Sequence, residues 1–250
     1  MICARALEGV PEVRPGDDLA ALLAAARGGR FDEGEVLVIA HKVVSKAEGR
    51  VVRLEDVEPS PRALELAAEL GKDDPRHVEV VLRETAEIVR AQRGVLICRT
   101  RHGFVCANAG VDASNAGADG ELILLPEDPD GSARRLRAEL REAGAGAPAV
   151  VIADSFGRAW RHGQCDVAIG IAGLAPLQDW RGLSDRRGRE LHATWIAVAD
   201  QAAAAADLAR GGKDAGHPAV VITGLERHVS ADDGPGAAAL VRPRDEDLFT

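Results

Sequence analysis

The chain alternates between short, nearly continuous apolar runs and longer stretches in which apolar residues return every three or four positions. Six runs have strand length: residues 36–40, 95–98, 121–125, 149–153, 167–171 and 219–223. A run without polar alternation suits a strand covered on both faces, so the six predict sheet buried between layers. Helical spacing fills several of the gaps. Val78, Val81, Leu82, Thr85 and Val89 share one face of a helix over 75–92, begun by Asp74 as cap and Pro75 at the first position. Ala133, Leu136, Leu140 and Ala143 mark a second helix over 130–143, which Gly144 stops. A third spans 196–210 and holds the alanines 202–206, whose small side chains allow close approach by another helix or sheet. A short helix over 19–26 is capped by Asp17 or Asp18. No repeat and no clean linker divides the chain, the softest places being 144–148 and 230–236. The expectation is one mixed α and β unit over 1–250, built of two interlocked lobes.

Composition narrows the function. The 250 residues carry 31 Lys+Arg against 40 Asp+Glu, a formal charge of −9, and no stretch concentrates arginine without interleaved acids. Binding to a nucleic-acid backbone rests on a basic surface, so no nucleic-acid partner is expected. Hydrophobic residues at 46% and charged ones at 28% are a globular balance. No apolar run approaches the roughly 20 residues of a membrane span, and Arg5 and Glu8 interrupt the place of a signal peptide's apolar core. A cytoplasmic protein without a membrane partner is expected. Cys3, Cys98, Cys106 and Cys165 form no CxxC pair and have no histidine at zinc-ligand spacing, which reads as reduced packing thiols. Only Lys42, Lys46, Lys72 and Lys213 are lysines in a chain that spells its other cations as arginine. Each marks a place where a compact ammonium is wanted, or is a residue of codon usage.

Five segments could carry chemistry. In 7–18, Gly9 lets the backbone approach a ligand, or simply makes a turn. In 40–49, His41, Lys42, Ser45 and Lys46 follow a buried strand, at the end where α/β sheets place ligands. GxxxxGK[ST] is absent from the chain, so this is no P-loop; Lys46 is a phosphate-binding point charge or a solvated loop lysine. In 108–115, Asp112 and Asn115 are oxygen ligands for Mg²⁺ or Mn²⁺, or the letters of an Asx-turn. In 149–170 a buried strand ends in Asp154 and Ser155, an arrangement that holds Mg²⁺ in nucleotide-binding proteins. A loop with Arg158, Trp160, Arg161, His162 and Gln164 follows, fit to grip a flat anionic substrate or merely to cover the surface. In 179–190, Trp180 and its arginines make a folded hairpin or a second anion wall.

Taken together, the motifs at 7–11 (Leu-Glu-Gly-Val-Pro), 44–49, 108–115, 124–129, 154–161 (Asp-Ser-Phe-Gly-Arg-Ala-Trp-Arg) and 242–249 resemble the coenzyme F420-0:L-glutamate ligase family. These are GTP-dependent γ-glutamyl ligases of deazaflavin coenzyme biosynthesis, and the likeness runs from the first residues to the last. The resemblance implies a mixed α and β (α+β) fold peculiar to the family, with two intertwined lobes in a homodimer, neither Rossmann nor P-loop. It implies GTP as cosubstrate near the subunit boundary, meeting Gly9, Val10, Pro11 and Glu12, then His41, Lys46 and Asn115. The loop 211–218, with Gly212, Lys213, Asp214 and Gly216, would close over it. Asp112 and Asp154 would hold one divalent ion, Mg²⁺ or Mn²⁺, and Ser155 a second; K⁺ is a further candidate. His41 stands where a small hydroxyl residue is expected, Ser155 replaces Thr, and Lys213 stands where some members carry an oxygen-bearing side chain toward the second metal. A stand-alone form is expected, without the flavin-binding reductase domain that some members append.

The implied reaction joins L-glutamate to the carboxylate of coenzyme F420-0 through an acyl phosphate, with Lys46, Asp112 and Asp154 catalytic and further γ-linked glutamates open. The alternatives are a related amide ligase on another carboxylate, a GTPase with no amide product, or a non-catalytic nucleotide-binding homologue. From charge alone, Arg158 and Arg161 are our candidates for the anionic groups of the deazaflavin substrate.

Overall fold

Four of the six apolar runs meet in one sheet of a computed structural model that describes residues 1–114, 120–212 and 214–248. The chain runs through β1 (Cys3–Ala6), α1 (Leu19–Arg27), β2 (Val36–Ala40), α2 (His41–Ala47), β3 (Val51–Arg53), α3 (Pro61–Leu70) and α4 (Pro75–Glu84). It continues through β4 (Thr85–Gln92), β5 (Val95–Thr100), β6 (Val105–Ala107), β7 (Glu121–Ile123), α5 (Pro129–Glu142), β8 (Ala149–Arg158) and β9 (Arg161–Ala172). Last come β10 (Leu177–Asp179), β11 (Trp195–Ala197), α6 (Val198–Arg210) and β12 (Ala219–Thr223). The mixed α and β class read from the sequence is the class observed.

The central sheet has the order β1-β12-β2-β8-β9; β2 and β8 are parallel and every other pair is antiparallel. Successive side chains of a strand point to opposite faces, and both faces are covered here. Leu37, Ile39, Val150, Ile152 and Ile169 pack with α1 and α5 through Leu23, Leu136 and Leu140. Val36, Val38, Val151, Ala153 and Ile171 pack on the other side against Ala199, Ala202, Ala203 and Ala206 of α6. The alanine run therefore lets α6 lie close on its own sheet. A second core gathers Leu66, Val78, Val81, Leu96, Cys98 and Leu122 from α3, α4, β5 and β7. Contacts of β6 with β8, and of α2 with β7, join the two cores.

Three expectations change. The helix expected over 75–92 ends at Glu84, and β4 begins at Thr85. Thr85 Oγ1 donates to the Val81 carbonyl at 2.6 Å, closing the last turn, and the chain beyond it pairs with β5 from Glu87 to Gln92, with an irregularity between Ile88 and Arg90. Arg93 and Gly94, both at positive φ (54° and 75°), make the tight turn between them, with the twist that antiparallel strands favour. The run at 95–98 is covered on one face only, with Leu96 and Cys98 buried and Val95 exposed. The loop expected after Ser155 is mostly strand, since β8 runs to Arg158 and β9 starts at Arg161, leaving a tight turn at Ala159 and Trp160. Of the two candidate caps for α1, Asp18 accepts the Ala21 N–H at 2.9 Å, while Asp17 accepts that of Arg14. Among the described residues no helix is long and apolar enough to cross a membrane.

Candidate functional site

A cavity of about 650 Å³ opens where β2 passes into α2, beside the middle of β8 and the loop after α6. Residues 41–47, expected as a loop, form a helix that buries His41, Val44 and Ser45. Lys46 is only 8% exposed, so it is no solvated lysine, and its ammonium pairs with the carboxylate of Glu12. Lys42 reaches the opposite wall, where Nζ donates to Asp112 Oδ2 at 2.7 Å and to Ser114 Oγ at 2.6 Å.

Asp112 is delivered by an unusual piece of backbone. Asn108, Ala109 and Gly110 all have positive φ (52°, 52° and 74°), and two consecutive non-glycine residues there carry strain of a kind that clusters at functional sites. Asp112 Oδ1 accepts the Ser114 N–H at 2.6 Å, so the Asx-turn forms while Oδ2 still faces a cation. Burial alone would push the Asp112 carboxyl up; the Lys42 ammonium and Ser114 outweigh it and hold the group below its usual range.

On β8 the apolar run gives way to Asp154 and Ser155 at the cavity wall. Asp154 Oδ1 accepts the Ser155 N–H at 2.8 Å and lies 3.4 Å from Nε2 of the buried His41, whose Nδ1 is 3.3 Å from Ser45 Oγ. Ser155 Oγ donates to Asp166 Oδ1 at 2.6 Å across the ladder to β9, and Arg210 Nη1 donates to Asp166 Oδ2 at 2.9 Å. Cys106 is no nucleophile, because burial first and the Asp154 charge second push its thiol up to about 12.

The cavity thus brings together Val10, Pro11, Glu12, His41, Lys46, Asp112, Asp154, Ser155, Gly212, Asp214 and Gly216 of the expected residues. Gly9, at φ 76°, turns the chain just ahead of that wall. Asn115 and Lys213 lie outside the described residues. Arg158 and Arg161 sit at the exposed end of the β8–β9 hairpin, away from the cavity lining, where Arg158 donates to the His162 carbonyl at 2.7 Å. They do not take Asp166 or Asp179 as partners, since those acids pair with Arg210 and Arg181. The segment 179–190 is a folded surface hairpin, in which Asp179 accepts from Arg181 and from Trp195 Nε1 and Arg181 stacks 4.1 Å above the Trp195 ring. None of its residues lines the cavity. Lys42, already singled out in the 40–49 segment, also lines the cavity, as do Asp166, Asp207 and Arg210, which no motif marked. Only Lys42 carried a signal, as one of four lysines.

Two carboxylates and a hydroxyl are hard oxygen donors, suited to Mg²⁺ or Mn²⁺. Among the described residues no three His, Cys, Asp or Glu side chains cluster tightly enough to hold an ion alone. Such a donor set fits an ion completed by substrate phosphate oxygens.

Comparison with known proteins follows the same line. The sequence profile described as F420-0:Gamma-glutamyl ligase matches residues 9–224. A protein of Methanothermobacter thermautotrophicus named Coenzyme F420:L-glutamate ligase is 47% identical over 246 residues, covering 97% of this chain and 96% of that one. Its namesake in Methanopyrus kandleri is 49% identical over 247 residues, with 97% and 96% covered, and that of Natronomonas pharaonis 45% identical over 251, with 98% and 93% covered. The chain belongs to the F420-0:gamma-glutamyl ligase family.

Proposed function

We propose that this chain forms an amide between L-glutamate and the carboxylate of coenzyme F420-0, with GTP activating that carboxylate. The observation that carries the reading is one cavity lined by Lys46, Asp112, Asp154 and Ser155, in a chain alike over nearly its full length to relatives named for this ligation. A carboxylate oxygen of F420-0 attacks the γ-phosphorus and GDP leaves. The glutamate amine then attacks the acyl carbon, phosphate departs with the bridging oxygen, and the nitrogen loses a proton. Phosphoryl transfer needs positioning and charge neutralisation more than covalent help.

The roles follow. Lys46 exchanges Glu12 for a phosphate oxygen. Asp112, Asp154 and Ser155 would hold one or two ions of Mg²⁺ or Mn²⁺, which supply charge neutralisation on the phosphate chain when bound. His41, wedged between Ser45 and Asp154, brings Nε2 to 3.4 Å from Asp154 Oδ1 without a hydrogen bond between them. Ser45, His41 and Asp154 stand in the order of a nucleophile triad, but Ser45 is fully buried and does not line the cavity, so no acyl-enzyme forms there. The main chain of Gly9 to Glu12 and the loop 211–218 would hold the nucleotide, with Asn115 and Lys213 beside it and K⁺ as a further ion. Arg158 and Arg161 would meet a substrate that reaches past the cavity mouth. The working form is proposed to be a cytoplasmic homodimer; Ala199, Ala202, Ala203 and Ala206 of α6 pack on the chain's own sheet and are not free for it.

The test is incubation with L-glutamate, F420-0, Mn²⁺ and either GTP or ATP, followed by mass spectrometry. A gain of one glutamyl unit with GTP, and not with ATP, supports the reading. Absence of any glutamylated product refutes it.

A further inference from the structure

Arg210 closes the last turn of α6 at the cavity wall. Its Nη1 is tied to Asp166, which is 1% exposed and gives its other oxygen to Ser155. Both oxygens of Asp166 are therefore engaged, and the guanidinium cannot turn without breaking the pair. The remaining donors, Nε and Nη2, are buried and have no hydrogen-bond partner. Those two nitrogens form one edge of the planar group, the edge that meets two oxygens of a carboxylate or phosphate side by side. A buried donor left unpaired costs free energy, which a ligand oxygen would recover. The other described cations on the wall are engaged differently, Lys42 by Asp112 and Lys46 by Glu12.

We propose that Arg210 anchors an oxyanion of the bound substrates through its Nε–Nη2 edge, with Asp166 as the residue that positions it. The chemistry recognised is a pair of oxygens on one phosphorus or one carbon. It has two sources in the proposed reaction, the phosphate chain of the nucleotide and a carboxylate of L-glutamate, and this choice alone rests on the proposed function. Since Asp166 also takes the Ser155 hydroxyl, the anchor and the hydroxyl proposed to bind an ion are held by one carboxylate.

Arg210→Lys and Arg210→Met separate the anchor from a merely structural pair. Lysine keeps a charge for Asp166 but lacks the two-donor edge, whereas Met fills similar space without charge. Thermal melting with inorganic phosphate comes first. Phosphate should raise the melting temperature of the wild-type protein, distinctly less that of Arg210→Lys, and not that of Arg210→Met. Equal shifts in all three, or no shift in the wild type, would overturn the proposal; should the Met variant fail to fold, the Lys variant decides. Calorimetry with GTP plus Mn²⁺, and separately with L-glutamate, then identifies the source, as a loss of about 10-fold or more in Arg210→Lys for one of them and little change for the other. Unchanged affinity for both would also overturn it. Arg210-dependent phosphate protection in a protein that binds no GTP would uphold the anchor and refute the nucleotide reading.

Discussion

Replacing Lys46 with Met should weaken GTP binding, while replacing Glu12 with Gln should strengthen it. The two residues form one ion pair, but its ends differ: Lys46 is buried, whereas the Glu12 side chain is 68% exposed. A pair with one partner mostly in water is worth about 0.2–1 kcal/mol. A charge-assisted bond from the same ammonium to a phosphate oxygen is worth about 1.5–3 kcal/mol. The phosphate therefore wins, and Glu12 swings into solvent. Binding to wild type carries the cost of breaking the pair, so Lys46→Met loses the difference, about 0.5–2.8 kcal/mol, or roughly 2- to 100-fold in affinity. Glu12→Gln removes that cost and should tighten GTP by roughly 1.4- to 5-fold. Calorimetric titration of GTP with Mn²⁺ into the wild type, both single variants and the double variant measures the cycle. In the Lys46→Met background Glu12→Gln should gain nothing. An equal gain in both backgrounds, or weaker binding by Glu12→Gln alone, would refute the competition between carboxylate and phosphate.

Asp154→Asn should abolish turnover at an unchanged melting temperature, because the amide oxygen can still accept the Ser155 N–H at 2.8 Å while the charge is lost; full activity in the folded variant would contradict the assignment. Gly170→Ala should be costly, since a Cβ there would lie 2.3 Å from the Pro129 carbonyl oxygen. At about 1–3 kcal/mol for overpacking, the melting temperature should fall by roughly 2–12 °C, and an unchanged value would show that α5 yields freely. Burial raises the Asp200 carboxyl above its usual 3.8, an effect that the hydrogen bond from the Ala168 N–H only partly offsets. An acid with a raised folded pKa costs stability as pH climbs past that range, so Asp200→Asn should melt higher than wild type at pH 7 and lose the advantage below about pH 4. A lower melting temperature at neutral pH would reverse that sign.

The four central strands were legible because burial on both faces leaves unbroken apolar runs, and 36–40 and 219–223 carry the same bounds in sequence and structure. The overrun at 75–92 has a physical cause. Thr85 and Val89 happen to continue the helical spacing, and periodicity alone does not weigh a β-branched stretch against the turn at Arg93 and Gly94. In the site, Asp154 and Ser155 could be read because polarity changes abruptly at the end of a buried run. The burial of Lys46 could not, since it depends on where residues 10–13 fold back over α2. Asp166 and Arg210 are 44 positions apart, and only the β8–β9 ladder and the packing of α6 across it bring them together. The exposure of Arg158 and Arg161 was hidden for a related reason: β8 and β9 keep pairing past the core and carry both arginines outward.

The most direct measurement follows the oxygen. With F420-0 labelled with heavy oxygen in the reacting carboxylate, and with GTP, Mn²⁺ and L-glutamate supplied, the inorganic phosphate released should carry one labelled atom for each amide formed. Amide product accompanied by unlabelled phosphate would contradict activation of the carboxylate as an acyl phosphate.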